Sequence, residues 1–209
     1  AGNDLTRFGG SGASLALTET DGITVTSFDA TARSAVVSST GDALVETLLR
    51  ATGAAEISST GNGIAGGSAG SLIDGDSVAI SGGSTISDQI DATGDIVITA
   101  DTTTASLNGP TNTDGNLIVS AQTLATIAGG GSALTLSIAA QDIDLSGVNF
   151  SVTDSVTLSN SDEDETQLGG ADDGDSTTFE VAEADLNSFG AASVTIASGD
   201  GAITSGGPV

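Results

Sequence analysis

Residues 113–119 read Thr-Asp-Gly-Asn-Leu-Ile-Val, and residues 93–98, twenty positions earlier, read Thr-Gly-Asp-Ile-Val-Ile. Each phrase places Thr before a turn of Gly, Asp or Asn, and a β-branched or Leu-rich run follows the turn. Gly-Asp and Asp-Gly pairs suit tight turns, and β-branched runs favour strands. The two phrases therefore predict a turn and a strand that recur with a period of 20 residues.

The same phrase recurs along the rest of the chain. Its leading Thr returns at Thr20, Thr40 and Thr60, and less regular copies begin at Asp74, Gly131, Thr153, Gly174 and Ser198. Two steps are irregular, those from 60 to 74 and from 174 to 198. Repetition of one short unit, roughly ten times, is typical of a solenoid, in which stacked units share one core.

Twenty residues suffice for three short strands and three turns, which is one coil of a β-solenoid. Coils stack through parallel hydrogen bonds about 4.8 Å apart, so ten coils would form a rod of roughly 50 Å. The sequence thus predicts an all-β parallel β-helix of roughly ten coils, as one domain over residues 1–209, with an acidic insertion loop near residues 160–176. A β-sandwich is the alternative, although it has no reason to keep a 20-residue period.

Alternating apolar residues support the strand assignment. Leu134, Leu136 and Ile138 are predicted to share one face, as are Val156 with Leu158 and Val194 with Ile196. A short helix over residues 42–50 is an alternative there, because Leu44, Val45, Leu48 and Leu49 could form a helical stripe. The large aromatic residues are expected in the core or in an end cap: Phe28, Phe150, Phe179 and Phe189.

Composition restricts the class of protein and its partners. Leu, Ile, Val and Phe make up 49 of the 209 residues, enough to favour a folded chain over a disordered one. The formal net charge is −25, from 28 acidic residues and three Arg. Such a surface repels nucleic acids and anionic membranes, so neither is an expected partner. The N-terminus does not resemble a signal peptide, and the absence of Met favours processing or excision.

Missing residue types also bear on catalysis. Without His, Cys or Lys, the chain cannot form a Ser-His-Asp, Cys-His or Ser-Lys arrangement. A pair of carboxylates could still cleave a polysaccharide, but the chain has 2% aromatic residues and three Arg to hold such a polymer. The Gly-rich segments 66–67 and 129–131 open no predicted helix, and their neighbourhood lacks the Lys of a phosphate loop. We therefore expect no enzyme and no catalytic residue.

One acidic cluster stands out from the repeat as a candidate Ca²⁺ site. Clustered carboxylates on a Gly-rich loop can supply the six to eight oxygen ligands that Ca²⁺ prefers, although the spacing matches no established Ca²⁺ loop. A solvated loop is the alternative interpretation. No cofactor is expected to be required, and the candidate ligands are Asp162, Glu163, Asp164, Glu165, Asp172, Asp173 and Asp175.

Several phrases resemble the filamentous-haemagglutinin-like bacterial exoproteins. They are residues 93–100, Gly147-Val148-Asn149-Phe150, and above all residues 179–186 followed by Val194-Thr195-Ile196 and Gly201-Ala202-Ile203-Thr204. The resemblance implies a right-handed parallel β-helix, export by two-partner secretion, and display as a long surface fibre or adhesin. The amino-terminal secretion domain of that family is not recognisable, which would make this segment part of the shaft.

Two functions follow as expectations. In the first, the chain is a structural segment of a secreted bacterial surface fibre, and it pairs with other copies of itself, end to end or laterally. In the second, it is an extracellular module that binds a glycan or a partner protein, with Ca²⁺ at the acidic loop.

Overall fold

The structure is a computed structural model, and it describes residues 6–30, 33–145, 148–162, 165–169, 178–198 and 203–205. Within these residues the chain is almost entirely extended. The strands of the first half are β1 (Arg7–Gly12), β2 (Leu15–Glu19), β3 (Ile23–Ala30), β4 (Ala35–Ser39), β5 (Ala43–Ala51), β6 (Ala54–Ser59), β7 (Ile64–Gly67), β8 (Leu72–Gly75), β9 (Ser77–Gly82), β10 (Ser84–Ser87), β11 (Gln89–Ala92) and β12 (Ile96–Ala100).

The second half continues the same way and contains one short helix. Its elements are β13 (Ala105–Leu107), β14 (Thr111–Thr113), β15 (Asn116–Ala121), β16 (Leu124–Ile127), β17 (Gly131–Ala140), β18 (Asp142–Asp144), β19 (Phe150–Asn160), β20 (Glu165–Leu168), β21 (Thr178–Val181), α1 (Glu183–Leu186), β22 (Phe189–Gly190), β23 (Ser193–Ala197) and β24 (Ile203–Ser205).

All strand pairs in the described part of the chain are parallel, and those of the main sheet form three ladders that we name faces A, B and C. Face A consists of β2, β4, β6, β9, β12, β15, the second halves of β17 and β19, and β23. Face B contains the second halves of β1, β3 and β5, then β8, β11, β14, the first halves of β17 and β19, and β22. Face C contains the first halves of β1, β3 and β5, then β7, β10, β13, β16 and β18.

The chain passes through faces C, B and A in turn, which makes each passage one coil of a β-solenoid. The predicted class is confirmed, with about eight turns where the repeat suggested ten. The difference arises near the C-terminal end, where the ninth passage is interrupted. There β20 pairs with β21 and β24 in a separate three-stranded sheet, and α1 precedes the last strands of faces B and A.

Aligned apolar residues fill the space between the three faces. On face A, two inner rows run the length of the stack. The first row is Leu15, Ala35, Ala55, Val78, Ile96, Leu117, Leu136, Val156 and Val194; the second is Leu17, Val37, Ile57, Ile80, Ile98, Val119, Ile138, Leu158 and Ile196. No coil could bury its own members of these rows, so the stack as a whole forms the core.

One alternative and one expectation about individual strands are wrong. Residues 43–51 form β5 and not a helix, because Leu48 and Leu49 align with β3 on one side and β8 on the other. Leu134 does not share a face with Leu136, since it lies at an irregularity of the ladder where β17 turns from face B to face A, and 42% of its surface is exposed. The pairs Leu136–Ile138 and Val156–Leu158 are buried as predicted.

The last predicted alternating pair, Val194 and Ile196, lies at the end of the stack. Val194 and Ile196 extend the two inner rows of face A, but Val194 is 43% exposed. Among the described residues, no strand of face A lies beyond β23. Within the described residues, the inner rows of face A therefore end at β23.

The irregular step of the repeat has a structural cause. The phrases at Thr20, Thr40 and Thr60 lie at the corner between faces A and C, whereas those at Asp74, Thr93 and Thr113 lie at the corner between faces B and A. The step from 60 to 74 is short because the turn phrase moves from one corner of the coil to another. The coil itself is not shortened by the same amount.

The aromatic residues lie where they were expected. Phe28, Phe150 and Phe179 are buried, and Phe189 is half-buried against the core. Phe28 also contacts Phe8 of the first coil, with ring centroids 5.8 Å apart.

Candidate functional site

The candidate Ca²⁺ ligands are described only in part. Asp162 follows the end of β19, and its backbone N–H donates to Oδ1 of Asn160 over 3.0 Å. Glu165 begins β20, so this part of the acidic segment is a strand paired with β21. Glu163, Asp164, Asp172, Asp173 and Asp175 lie outside the described residues. Ca²⁺ binding therefore stays a prediction; within the described ranges, no three acidic side chains converge as a metal site would require.

The outer row of face B carries a charged and polar ladder. Asp29, Arg50 and Asp74 are aligned in consecutive coils, and Arg50 Nε donates to Asp74 Oδ2 over 2.7 Å. The hydrogen bond and the charge of Asp74 raise the pKa of Arg50. On the other side, Arg50 Nη1 lies 3.8 Å from Asp29 Oδ2. One guanidinium therefore separates two carboxylates of adjacent coils.

The same row continues without a further arginine. Asn112 donates through Nδ2 to Asp91 Oδ1 over 3.0 Å, and Ser132 donates to Asn112 Oδ1 over 3.4 Å. An amide and a hydroxyl thus take the place of the cation. This ladder cannot be recognised in the sequence, because it becomes visible only when coils of unequal length are aligned.

A surface depression of about 290 Å³ lies beside Arg50. Its lining includes two carboxylates, Asp74 and Asp76, together with Thr93 and no aromatic side chain. Asp74 accepts from Arg50, and Asp76 accepts from the hydroxyl of Thr93 over 2.7 Å. Both carboxylates therefore already have hydrogen-bond partners within the solenoid. Each of these hydrogen bonds joins two neighbouring coils.

The Gly-rich segments lie where neighbouring coils approach closely. Gly66 has a φ of +132°, and a Cβ built on it would lie 1.8 Å from the carbonyl oxygen of Ile86. A Cβ on Gly129 would lie 2.0 Å from the carbonyl oxygen of Gly109. The close stacking of neighbouring coils therefore requires glycine at both positions.

The outer surface of face A differs from the rest of this acidic protein. Two outward rows follow the nine strands. The first is Ala16, Val36, Glu56, Ala79, Val97, Ile118, Ser137, Thr157 and Thr195; the second is Thr18, Ser38, Ser58, Ser81, Thr99, Ser120, Ala139, Ser159 and Ala197. Glu56 is the one charged residue in these two rows.

Carboxylates line both edges of face A. Exposed Asp76, Asp95 and Asp114 immediately precede β9, β12 and the turn into β15 at the corner with face B. Exposed Asp21, Asp42 and Asp101 lie at the corner with face C. Face A is thus a nearly uncharged strip between two acidic edges. The sequence alone does not reveal this strip, because its residues become neighbours only through the strand register.

Comparison with known proteins identifies no relative. No protein family, no curated protein and no solved structure matches the chain. The described residues contain one helix, α1. This helix is not long and apolar enough to cross a membrane.

Proposed function

We propose that this chain is a structural, non-catalytic segment of a secreted bacterial cell-surface fibre or adhesin, in which the solenoid serves as a stiff shaft. The supporting observation is the unbroken register of face A. Nine strands continue the same two inner rows, and side chains of one coil rest on those of the next. Length and stiffness follow directly from such a stack, because each added coil extends the core by about 4.8 Å.

Assembly with further copies of the chain, end to end, is part of this proposal. The inner rows of face A are open at Val194 and Ile196 in the described structure. An unpaired parallel edge with exposed inner residues can accept another strand. A further coil would cover both side chains, whether it belonged to the same polypeptide or to a second copy.

Electron microscopy of the purified protein, with and without Ca²⁺, tests this proposal. We expect rods or fibres whose lengths are multiples of the length of one coil stack. Val194→Lys combined with Ile196→Lys should shorten them, because two ammonium groups would face the next coil. Ser106→Lys on the outer side of face C is the matched control and should leave their length unchanged.

The outcome also separates the two functions expected from the sequence. Fibres that the double Lys variant leaves unchanged would contradict assembly through the face A end. Short single rods that bind a glycan or a protein, with an affinity that depends on Ca²⁺, would instead support the binding-module alternative.

A further inference from the structure

We propose that face A is a lateral self-association surface, through which two rods pair side by side in opposite directions. This proposal concerns the flank of the rod and not its ends. It therefore holds or fails independently of fibre formation. The partner is a second copy of this chain.

The distribution of charge and apolar residues along face A is that of a protein–protein interface. The centre of the strip is apolar: Val97 and Ile118 are 37% and 39% exposed, and they are direct neighbours in the ladder. Hydroxyl groups of Thr99 and Ser120 lie beside them in the second row. The acidic corners lie outside both rows. An apolar centre with a polar and then a charged border is the usual anatomy of a protein–protein interface.

The area of face A is sufficient for a specific dimer. Nine strands about 4.8 Å apart span about 38 Å, and five residues of each strand span about 16 Å. The strip therefore offers about 600 Å² on each copy, or about 1,200 Å² in total, which reaches the lower end of stable interfaces. A single small ligand would cover only a fraction of this surface.

Opposite rod directions follow from where the apolar and charged residues lie. Val97 and Ile118 belong to the fifth and sixth of the nine strands, at the middle of the ladder. A two-fold axis that crosses the rods at this point places apolar centre on apolar centre. It also places Glu56, on the third strand, opposite the seventh or eighth strand, where the outward residues are Ser137 and Thr157. Rods in the same direction would bring the two Glu56 side chains together.

The acidic corners make this pairing depend on salt. When two copies meet, Asp76, Asp95 and Asp114 on one edge come close to carboxylates of the other copy. Their repulsion is long-range in dilute salt, and it is screened within about 3 Å at 1 M ionic strength. Pairing should therefore strengthen as salt increases.

Analytical ultracentrifugation from 0.05 to 1 M NaCl tests the proposal. We expect a monomer–dimer equilibrium whose Kd falls at least tenfold over this range. Val97→Asp and Ile118→Asp should each raise the Kd at 1 M NaCl at least tenfold, because each places a charge at the dry centre. Thr126→Asp, on the outer row of face C, is the matched control and should leave the Kd unchanged. Far-ultraviolet circular dichroism establishes that each variant is folded.

Disulfide trapping tests the relative direction of the rods, because the chain contains no cysteine of its own. Val97→Cys should form a disulfide-linked dimer on oxidation. Ala16→Cys and Thr195→Cys, on the first and ninth strands, should cross-link when the two proteins are mixed and not when either is oxidised alone. Cross-linking of Ala16→Cys with itself would overturn the opposite-direction arrangement.

Three results would overturn the proposal as a whole. The first is a wild-type protein that stays monomeric at 1 M NaCl and high concentration. The second is a dimer that Val97→Asp and Ile118→Asp leave intact. The third is a monomer that binds ice or a crystalline polysaccharide through these two residues, measured by thermal hysteresis or co-sedimentation. If Val97→Asp abolishes the dimer while end-to-end fibres persist, lateral pairing is independent of the proposed fibre assembly.

Discussion

Gly131 and Phe150 are direct neighbours in the ladder of face B, and a Cβ on Gly131 would lie 2.8 Å from Cε2 of Phe150. It would also lie 1.9 Å from the carbonyl oxygen of Thr111 in the preceding coil. The glycine thus makes room for the aromatic ring on one side and for the backbone on the other.

Gly131→Ala should destabilise the solenoid by about 2 kcal/mol or more, because overpacking beside a backbone carbonyl cannot be relieved by a change of rotamer. The measurement is urea-induced unfolding followed by circular dichroism. Gly190→Ala is the matched control, since Gly190 belongs to the same ladder and a Cβ there would meet no atom within 4 Å. Equal stability of the two variants would show that the close approach at Gly131 is easily relieved.

Ile98→Ala should reduce the free energy of unfolding by about 2–5 kcal/mol. Ile98 is buried between Ile80 and Val119 in the second inner row of face A, so truncation leaves a cavity between two coils. Val97→Ala changes the neighbouring residue on the outer side and should alter stability by less than about 0.5 kcal/mol in the monomer. Comparable losses from both variants would contradict the assigned register of β12.

Arg50→Gln should destabilise the protein by about 0.5–1 kcal/mol in dilute salt, because Asp29 and Asp74 would lose the cation between them. The effect is modest since all three side chains are partly exposed. Thermal unfolding of wild type and variant at 0.05 and 1 M NaCl should show the difference shrinking at high salt. A difference that is independent of salt would mean that Arg50 acts through packing of its aliphatic stem.

Asp185→Ala should destabilise the C-terminal part of the solenoid by about 2–4 kcal/mol. The buried carboxylate accepts from the backbone N–H of Leu145 over 3.1 Å and of Ala182 over 2.9 Å, and alanine would leave both donors without an acceptor. Hydrogen exchange resolved by peptide should show faster exchange around Leu145 and Ala182. Glu183→Ala changes an exposed acidic residue of the same helix and should leave exchange at these amides unchanged.

Calcium binding at the acidic segment is tested by isothermal titration calorimetry. If Asp162, Glu163, Asp164, Glu165, Asp172, Asp173 and Asp175 supply ligands, millimolar Ca²⁺ should give a saturable heat. Combined substitution Asp172→Asn, Asp173→Asn and Asp175→Asn should remove that heat, whereas Asp21→Asn with Asp42→Asn should not. Absence of any heat from the wild-type protein would exclude a Ca²⁺ site in this affinity range.

The fold class could be predicted from the sequence because it depends on a local and repeated signal. A turn followed by a β-branched run every 20 residues leaves a stacked parallel coil as the natural arrangement. Individual strands were harder to predict. Leu134 has the right type and spacing for the inner face, yet the chain turns a corner at this position, and the alternation restarts one residue later.

The features that bear on binding could not be predicted for a related reason. The uncharged strip of face A combines residues from nine coils, and the coils differ in length by several residues. Neither Val97 with Ile118 nor Asp29 with Arg50 forms a recognisable sequence motif. Their relationship exists only in the strand register, because the recurring turn phrase does not show which outward residues of two coils are neighbours.

The spacing of the coils has a consequence for the ions around this protein. Between residues 6 and 162 the eight coils carry 17 carboxylates and three arginines, a net charge of −14 over about 38 Å of rod. That is one negative charge for about every 2.7 Å, which is of the same order as the one per 1.7 Å of duplex DNA. By analogy with DNA, the rod behaves as a polyelectrolyte that carries a condensed sheath of cations along its length. The solenoid would then raise the cation concentration in its own surroundings, even where no side chain coordinates the ions.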